Sequence, residues 1–564
     1  MHLDDWFDHA RRDAARRGLP DLDPLLDMLF RATGALRAAD WARAGDGGAA
    51  GGNPGEAAEG AAGWAGAGDG GAAGGNPGAA DEDVAGDRRR APPRRIQGGD
   101  DGVVHAAGDP AVTASPGATI AEVGLALRAG ATTAAALVED CFATITRRDP
   151  TLNAFITVRR DDARREAQTL DAELARGHCR GPLHGIPISL KDIIDLAGTP
   201  TTAASRLRAG HRAAADAPVT ARLRAAGAVL VGKCNLHEFA FGTTGEESAC
   251  GATRNPHAPA HTPGGSSSGS AVGVAAGMAL ASVGTDTGGS IRIPAAACGV
   301  VGLKPTHGEV SAAGIVPLAP SLDHVGPLAR SVRDAALLYR VLRDGPHGGR
   351  DAAAADAPPT EARPRLGIPR RYFLDLLEPA VERAFDDAVG RLARAGCRID
   401  DVDVPHAADT ASIYLHTQLA EAADQHRENL DERPDDYARG VRLRLELGRY
   451  VLAEDYVRAQ RGRHVLTAEV DAALADRAAL VLPTLPVVPP RLGAATIAIG
   501  GTTGSARSLM LRLTQLFDVT GHPAISLPCG MAGGLPAGLQ LVGRRGDTEG
   551  LLAVAADVEE AVRG

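Results

Sequence analysis

Lysine is nearly absent from this chain. Of its 60 basic residues only Lys191, Lys233 and Lys304 are lysines, and all three fall within one 114-residue stretch. Arginine serves wherever a permanent positive charge suffices, and it cannot shed its proton in a protein, whereas a buried lysine can. Aromatic residues are also scarce, at 3%. The tryptophans, Trp6, Trp41 and Trp64, all precede residue 65, so the rest of the fold must pack with Ala, Val, Leu and Ile. There is no excess of positive charge: the net charge is −10, which excludes a phosphate-binding surface as the main role. The seven cysteines, at 141, 179, 234, 250, 298, 397 and 529, are scattered, odd in number and never spaced CxxC. Free thiols in a reducing compartment are expected, with no zinc site. No run of 18 apolar residues occurs, so no membrane span is expected. The opening residues MHLDDWFDHARRDAARR lack an apolar signal core, and the cytoplasm is the expected location.

What is present is length and apolar content. The 564 residues exceed one ordinary core, and 44% of them are apolar, so a large α/β domain with appendages or several domains are expected. Residues 1–43 read as a hairpin of two short helices, with Asp23 placed to cap the second and Pro24 in its first turn. Leu25, Leu29, Ala32 and Leu36 then recur at helical spacing. A hairpin this small must dock on something to persist. Residues 44–116 are Gly/Ala-rich, and AGDGGAAGGNPG occurs twice, at 44–55 and 67–78. Ordering so much glycine costs too much backbone entropy, so a disordered linker is expected there, including the arginine-rich run at 88–95. From residue 117 to 564 the texture changes to that of a packed domain. Helical periodicity marks 119–147, 161–176, 378–396, 454–476 and 548–562. Short apolar runs at 186–190, 228–231, 283–285, 300–303, 479–482, 524–527 and 538–542 read as strands. Their alternation with helices predicts an α/β fold: a central mixed sheet covered by helices on both faces.

Three segments carry chemistry. In GPLHGIPISLKD at 181–192, Lys191 ends an apolar strand. Burial there disfavours its charged form and would make a neutral amine, a usable base. A salt bridge with Asp192 or Asp195 is the other reading. In PGGSSSGS at 263–270, a Gly/Ser loop runs into AVGVAAGMALA, an apolar and therefore buried helix whose N-terminus faces the serines. In GTDTGGSIRIP at 284–294, a short strand enters glycines and then Ser290, with successive N–H groups available to an oxyanion. Rival readings of these letters fail. No Gly-Lys-Ser/Thr follows the loop, so it is no P-loop. A nucleophile elbow on Ser267 needs a strand before it, and ATRNPHAPAHTPGG is not one. An aspartic protease built on Asp286 lacks a second Asp-Thr-Gly.

Together the three segments resemble the amidase signature family, over roughly residues 117–564. Two spacings of that family's core recur, 75 residues from Lys191 to Ser266 and 24 from Ser266 to Ser290. VGLKPTHG at 301–308, SLDHVGP at 321–327 and GHPAISLPCG…GLPAGLQLVG near the end add to the likeness. The resemblance implies a Ser–Ser–Lys triad. Ser290 attacks an amide carbonyl, Ser266, reached through a cis peptide, relays the proton, and neutral Lys191 accepts it. The N–H groups of Thr287, Gly288, Gly289 and Ser290 would hold the oxyanion, with no metal or cofactor. A stand-alone amidase acting on a small-molecule amide is expected, free of direct nucleic-acid or membrane contact, with a homodimer as one assembly. The alternative is the glutaminase subunit of a glutamyl-tRNA amidotransferase, although GTTGEES at 242–248 differs from what that subunit implies. The hairpin could stand for a small helical partner protein that some relatives use. His184, His307 and His324 are expected to be structural, and Asp323 to tie down a loop. Arg292 would pair with a core carboxylate or with substrate, and Arg444 is a candidate for binding a substrate carboxylate.

Overall fold

Strands at these apolar runs align into one sheet because the glycines and prolines between them let the chain return. A computed structural model describes residues 2–43, 119–344 and 364–563. Eleven strands form the main sheet: β1 (Phe155–Val158), β2 (Pro187–Lys191), β3 (Val229–Cys234), β4 (Ala281–Asp286), β5 (Val301–Lys304), β6 (His324–Ala329), β7 (Arg365–Pro369), β8 (Arg398–Val402), β9 (Ala479–Pro483), and, after a separate small hairpin of β10 (Thr496–Ile499) and β11 (Thr502–Ser505), β12 (Ala524–Ala532) and β13 (Leu535–Val542). Their order is β1-β3-β2-β4-β6-β5-β12-β13-β9-β7-β8. β2 runs parallel to β3 and β4, and β7 parallel to β8 and β9, while the centre of the sheet is antiparallel. The strands β2 to β6, β9 and β13 are buried throughout, as both covered faces require.

All the apolar runs read as strands are strands. The helices differ in detail. The periodicity over 119–147 is two helices, Ile120–Arg128 and Ala134–Leu152. Gly130 between them takes a left-handed φ of 71°, and the Thr133 hydroxyl caps the second by accepting the Ala136 N–H at 3.1 Å. The buried helix after the serine loop, Ser268–Ala275, stops short of the full apolar run because Gly277 turns the chain into β4. No helix among the described residues is long and apolar enough to cross a membrane. The expected linker at 44–116 lies outside the described residues.

The N-terminal helices, Leu3–Arg16 and Asp23–Ala38, dock on the helices Thr410–Gln425, Arg439–Gly448 and Ala453–Leu474. Asp23 does not cap: it is the first residue of its helix, and Arg11 holds its carboxylate. The core stripe keeps three of the four expected residues. Leu26 joins Leu29, Ala32 and Leu36 inside, and Leu25 is left half-buried. Trp6 Nε1 donates to the Tyr450 carbonyl at 3.1 Å, Arg17 pairs with Glu446 at 2.5 Å, and Arg37 pairs with Asp455 at 2.6 Å. Apolar burial supplies most of the docking energy, because ion pairs at a partly exposed rim contribute little. Leu26→Ala is expected to cost about 2–5 kcal/mol, seen as a lower midpoint of chemical unfolding.

Candidate active site

β2 and β4 are parallel neighbours, so the end of β2 brings Lys191 beside the last residues of β4, where it meets Thr285. Lys191 is fully buried, with Nζ 2.8 Å from Ser266 Oγ and 2.7 Å from Thr285 Oγ1. Burial pulls its amine down to about 7, against a partial pull upward from Asp286 and Asp323. The salt bridge with Asp192 or Asp195 does not form. Asp192 instead pairs with buried Lys233 at 3.0 Å. The Gly265–Ser266 peptide is cis. The segment Thr243–Gly245 lies directly on it, and His237 donates its backbone N–H to the Ser266 carbonyl at 3.2 Å.

Ser290 ends the loop after β4 and retains 7% exposure, whereas Lys191 and Ser266 have none. The Ser267 N–H donates to the Ser290 carbonyl at 3.1 Å, which draws the two serine segments together. Ser267 is no nucleophile: its hydroxyl is bonded to the backbone of Thr285, at 3.1 Å to the carbonyl and 3.3 Å from the N–H.

The loop takes its shape from Asp286. Its carboxylate accepts the N–H groups of Gly289 at 2.5 Å, Ile291 at 3.1 Å and Arg292 at 3.3 Å, and so starts the helix Arg292–Cys298. The Arg292 guanidinium grips the same carboxylate with Nε and Nη2, both at 3.0 Å. It also reaches Asp518, Gln540 Oε1 at 2.8 Å and the Thr514 carbonyl at 3.0 Å. Burial alone would raise the Asp286 carboxyl, but Arg292 beside it holds it well below the usual carboxylate range. Burial drives neighbouring Asp518 the other way, so Asp286 carries the charge that Arg292 answers. This buried fork excludes Asp286 as an aspartic-protease acid and settles Arg292 as the partner of a core carboxylate. One expected oxyanion donor, the Gly289 N–H, is thereby engaged. The glycines are required: a Cβ at Gly288 would strike the Tyr414 hydroxyl, and one at Gly289, whose φ is +139°, would strike Thr514 Oγ1.

Asp323 ties down a loop, as its motif suggests. It accepts the Thr287 hydroxyl at 2.6 Å and the N–H groups of Leu318 and Ala319 at 2.9 and 3.1 Å, and burial raises it to about 6. The three histidines bond backbone carbonyls. His184 bonds the Leu170 carbonyl at 3.0 Å, His324 the Leu322 carbonyl at 2.6 Å, and His307 lies 3.4 Å from the Pro320 carbonyl. Arg444 is held by Glu247 at 2.8 Å and by the Phe241 carbonyl at 2.9 Å. It lines a cavity of about 420 Å³ that rests on the Thr243–Thr244 segment covering the cis peptide. Thr285, Tyr414 and Thr514 escape the sequence reading. Only Thr285 had a signal there, its place in the strand before the glycines.

Residues 136–552 match the family model described as amidase. The chain belongs to the amidase signature family. Among amidase-family relatives, a glutamyl-tRNA(Gln) amidotransferase subunit from Chloroflexus aurantiacus is 40% identical over 470 residues, 77% of this chain and 95% of that protein. An amidase of Pseudomonas putida is 38% identical over 427 residues, 73% of this chain and 89% of that one. A crystal structure of an amidase is 36% identical with a TM-score of 0.74, covering 79% of this chain and 100% of its own. The hairpin at 3–38 lies outside the family match. Within the amidase core, removing the Arg292 cation would strand Asp286 and Asp518 in the interior. Arg292→Met is expected to destabilise the protein by about 3–5 kcal/mol, measured by chemical denaturation.

Proposed function

We propose that the protein hydrolyses a carboxylic amide to a carboxylate and ammonia or an amine, through an acyl-enzyme formed on Ser290. The observation that carries this reading is a fully buried amine, Lys191, whose bonded partners are hydroxyls and not carboxylates. A serine hydroxyl is a weak nucleophile until a base takes its proton. Lys191, whose neutral form is well populated near neutral pH, is that base, and Ser266 is the relay between it and Ser290. Ser290 Oγ bonds to the carbonyl carbon as its proton passes through Ser266 to Lys191. The N–H groups of Thr287, Gly288 and Ser290 stabilise the oxyanion, while Gly289 supports the loop through Asp286. The proton then moves to the leaving nitrogen as the C–N bond breaks. Water repeats the sequence on the ester and frees the acid. No step calls on a metal or a cofactor. Soluble operation in the cytoplasm, on a small-molecule substrate and without nucleic acid, fits the charge and the fold.

The second reading, the glutaminase subunit of an amidotransferase, rests on the 40% identity to the amidotransferase subunit in Chloroflexus aurantiacus. Ammonia release from free glutamine, compared with simple amides, separates the two. A stand-alone amidase turns over simple amides unaided. A glutaminase subunit prefers glutamine and gains activity with its partners.

Ser290→Ala is expected to abolish ammonia release while leaving the thermal unfolding midpoint unchanged. Lys191→Arg is expected to be nearly inactive, because a guanidinium stays charged. Retained turnover in either would refute the triad. Because Lys191 titrates at about 7 and must be neutral to act, kcat/KM should rise with pH through that value and fall about tenfold per unit below it. A profile flat from pH 5 to 8 would rule out Lys191 as the base.

A further inference from the structure

A second cavity, of about 310 Å³, is lined by none of Lys191, Ser266, Ser290 or residues 287–289. Leu207, Phe239 and Val316 give it apolar walls. Arg208, His211 and His426 line it as well, and no carboxylate does. Arg208 is half-buried. Its Nε donates to the Thr201 carbonyl at 3.1 Å, and among the described residues no carboxylate pairs with its guanidinium. Burial lowers it, against an upward pull from Asp195 and Asp192. His426 is buried, with Nδ1 2.9 Å from the Tyr437 hydroxyl and Nε2 without a partner. Burial first, and the Arg208 charge second, lower this ring to about 4, so it is neutral near neutral pH. The buried Tyr437 hydroxyl has no other bond among the described residues, so it donates to Nδ1, and the neutral ring keeps its own hydrogen on Nε2. Phe239 meets the His426 ring edge-on, with centroids 4.5 Å apart, and holds a left-handed φ of 51°. A phenylalanine keeps such a backbone only where its surroundings fix it.

We propose that this cavity binds a small organic carboxylate, its charge met by Arg208 and His426 and its apolar group packed against Phe239, Leu207 and Val316. The site is separate from the one that carries Ser290, and it does not rest on the amidase reading. Three observations support it. A guanidinium without a carboxylate and a buried N–H without an acceptor line the same space, which leaves two donors for one anion. The two are close enough for the Arg208 charge to act on the His426 ring. The remaining walls are largely apolar, so a bare inorganic anion would leave them uncovered, and an uncharged ligand would leave the donors unanswered. Exposed His211 stands at the same cavity and adds no negative charge to repel the ligand.

The test is calorimetric titration of the full-length protein with benzoate. Acetophenone serves as the uncharged analogue of the same shape, and inorganic phosphate as an anion without an apolar group. Acetophenone is expected to bind at least tenfold more weakly than benzoate, and phosphate at equal concentration should not displace benzoate. Arg208→Gln is expected to weaken benzoate at least tenfold. His211→Glu, at an exposed position where the fold is not at stake, is expected to weaken it at least fivefold by repulsion. Arg212→Ala, next along the chain but outside the lining, should leave the affinity as it is. Benzoate held at the catalytic serine instead would be indifferent to Arg208→Gln and His211→Glu. Unchanged affinity in either variant therefore overturns the proposal, as does no binding of benzoate, equal binding of acetophenone, or displacement by phosphate.

Discussion

The ion pair between Asp286 and Arg292 is the constraint on which the rest of the site depends. Asp286 ends β4, gathers the backbone N–H groups of the loop that carries Ser290 and starts the following helix. Arg292 extends the tie to the carbonyl of Thr514, to Asp518 and to Gln540 on β13. One guanidinium therefore joins the strand before Ser290 to elements more than 200 residues later. A buried pair of this kind adds little net stability over an apolar substitute, but it holds one geometry, since any other leaves charge unanswered in the interior. Gly288 and Gly289, pressed against Tyr414 and Thr514, have no freedom left once that geometry is set.

The three lysines show how neighbours decide what burial does. Lys233 is answered by a carboxylate, Asp192, and is a structural cation. Lys304 donates to the carbonyls of Pro305 and His522 and touches His324, and burial lowers it to about 7. Lys191 has hydroxyls for partners, and one of them belongs to the serine loop. All are equally buried. Of the three, Lys191 alone is bonded to a side-chain hydroxyl of the serine loop, Ser266.

Much of this was legible in the letters. A lysine closing an apolar strand, and glycines placed just before a serine, are local patterns with local causes. The same holds for the apolar runs that became strands. β6 was not legible because Gly326 and Pro327 interrupt it, nor was β8, an edge strand reading RIDDV whose charges suit solvent rather than a covered face. Tyr414, Thr514, Asp518 and Gln540 could not be read at all, because their roles arise from contacts across long stretches of chain. At the N-terminus Leu29, Ala32 and Leu36 were read correctly and only the first position of the stripe was missed. Leu25 and Leu26 are equally apolar, and only the packing partners decide which one enters the core.

The docking of the N-terminal helices has a consequence for how the protein behaves on dilution. A helix pair supplied by a separate polypeptide is lost when concentration falls below its dissociation constant. A pair carried on the same chain faces its dock at a local concentration that solution volume does not alter. The docked helices should thus hold their place in each single molecule, as constant in a dilute assay as in a crowded cell.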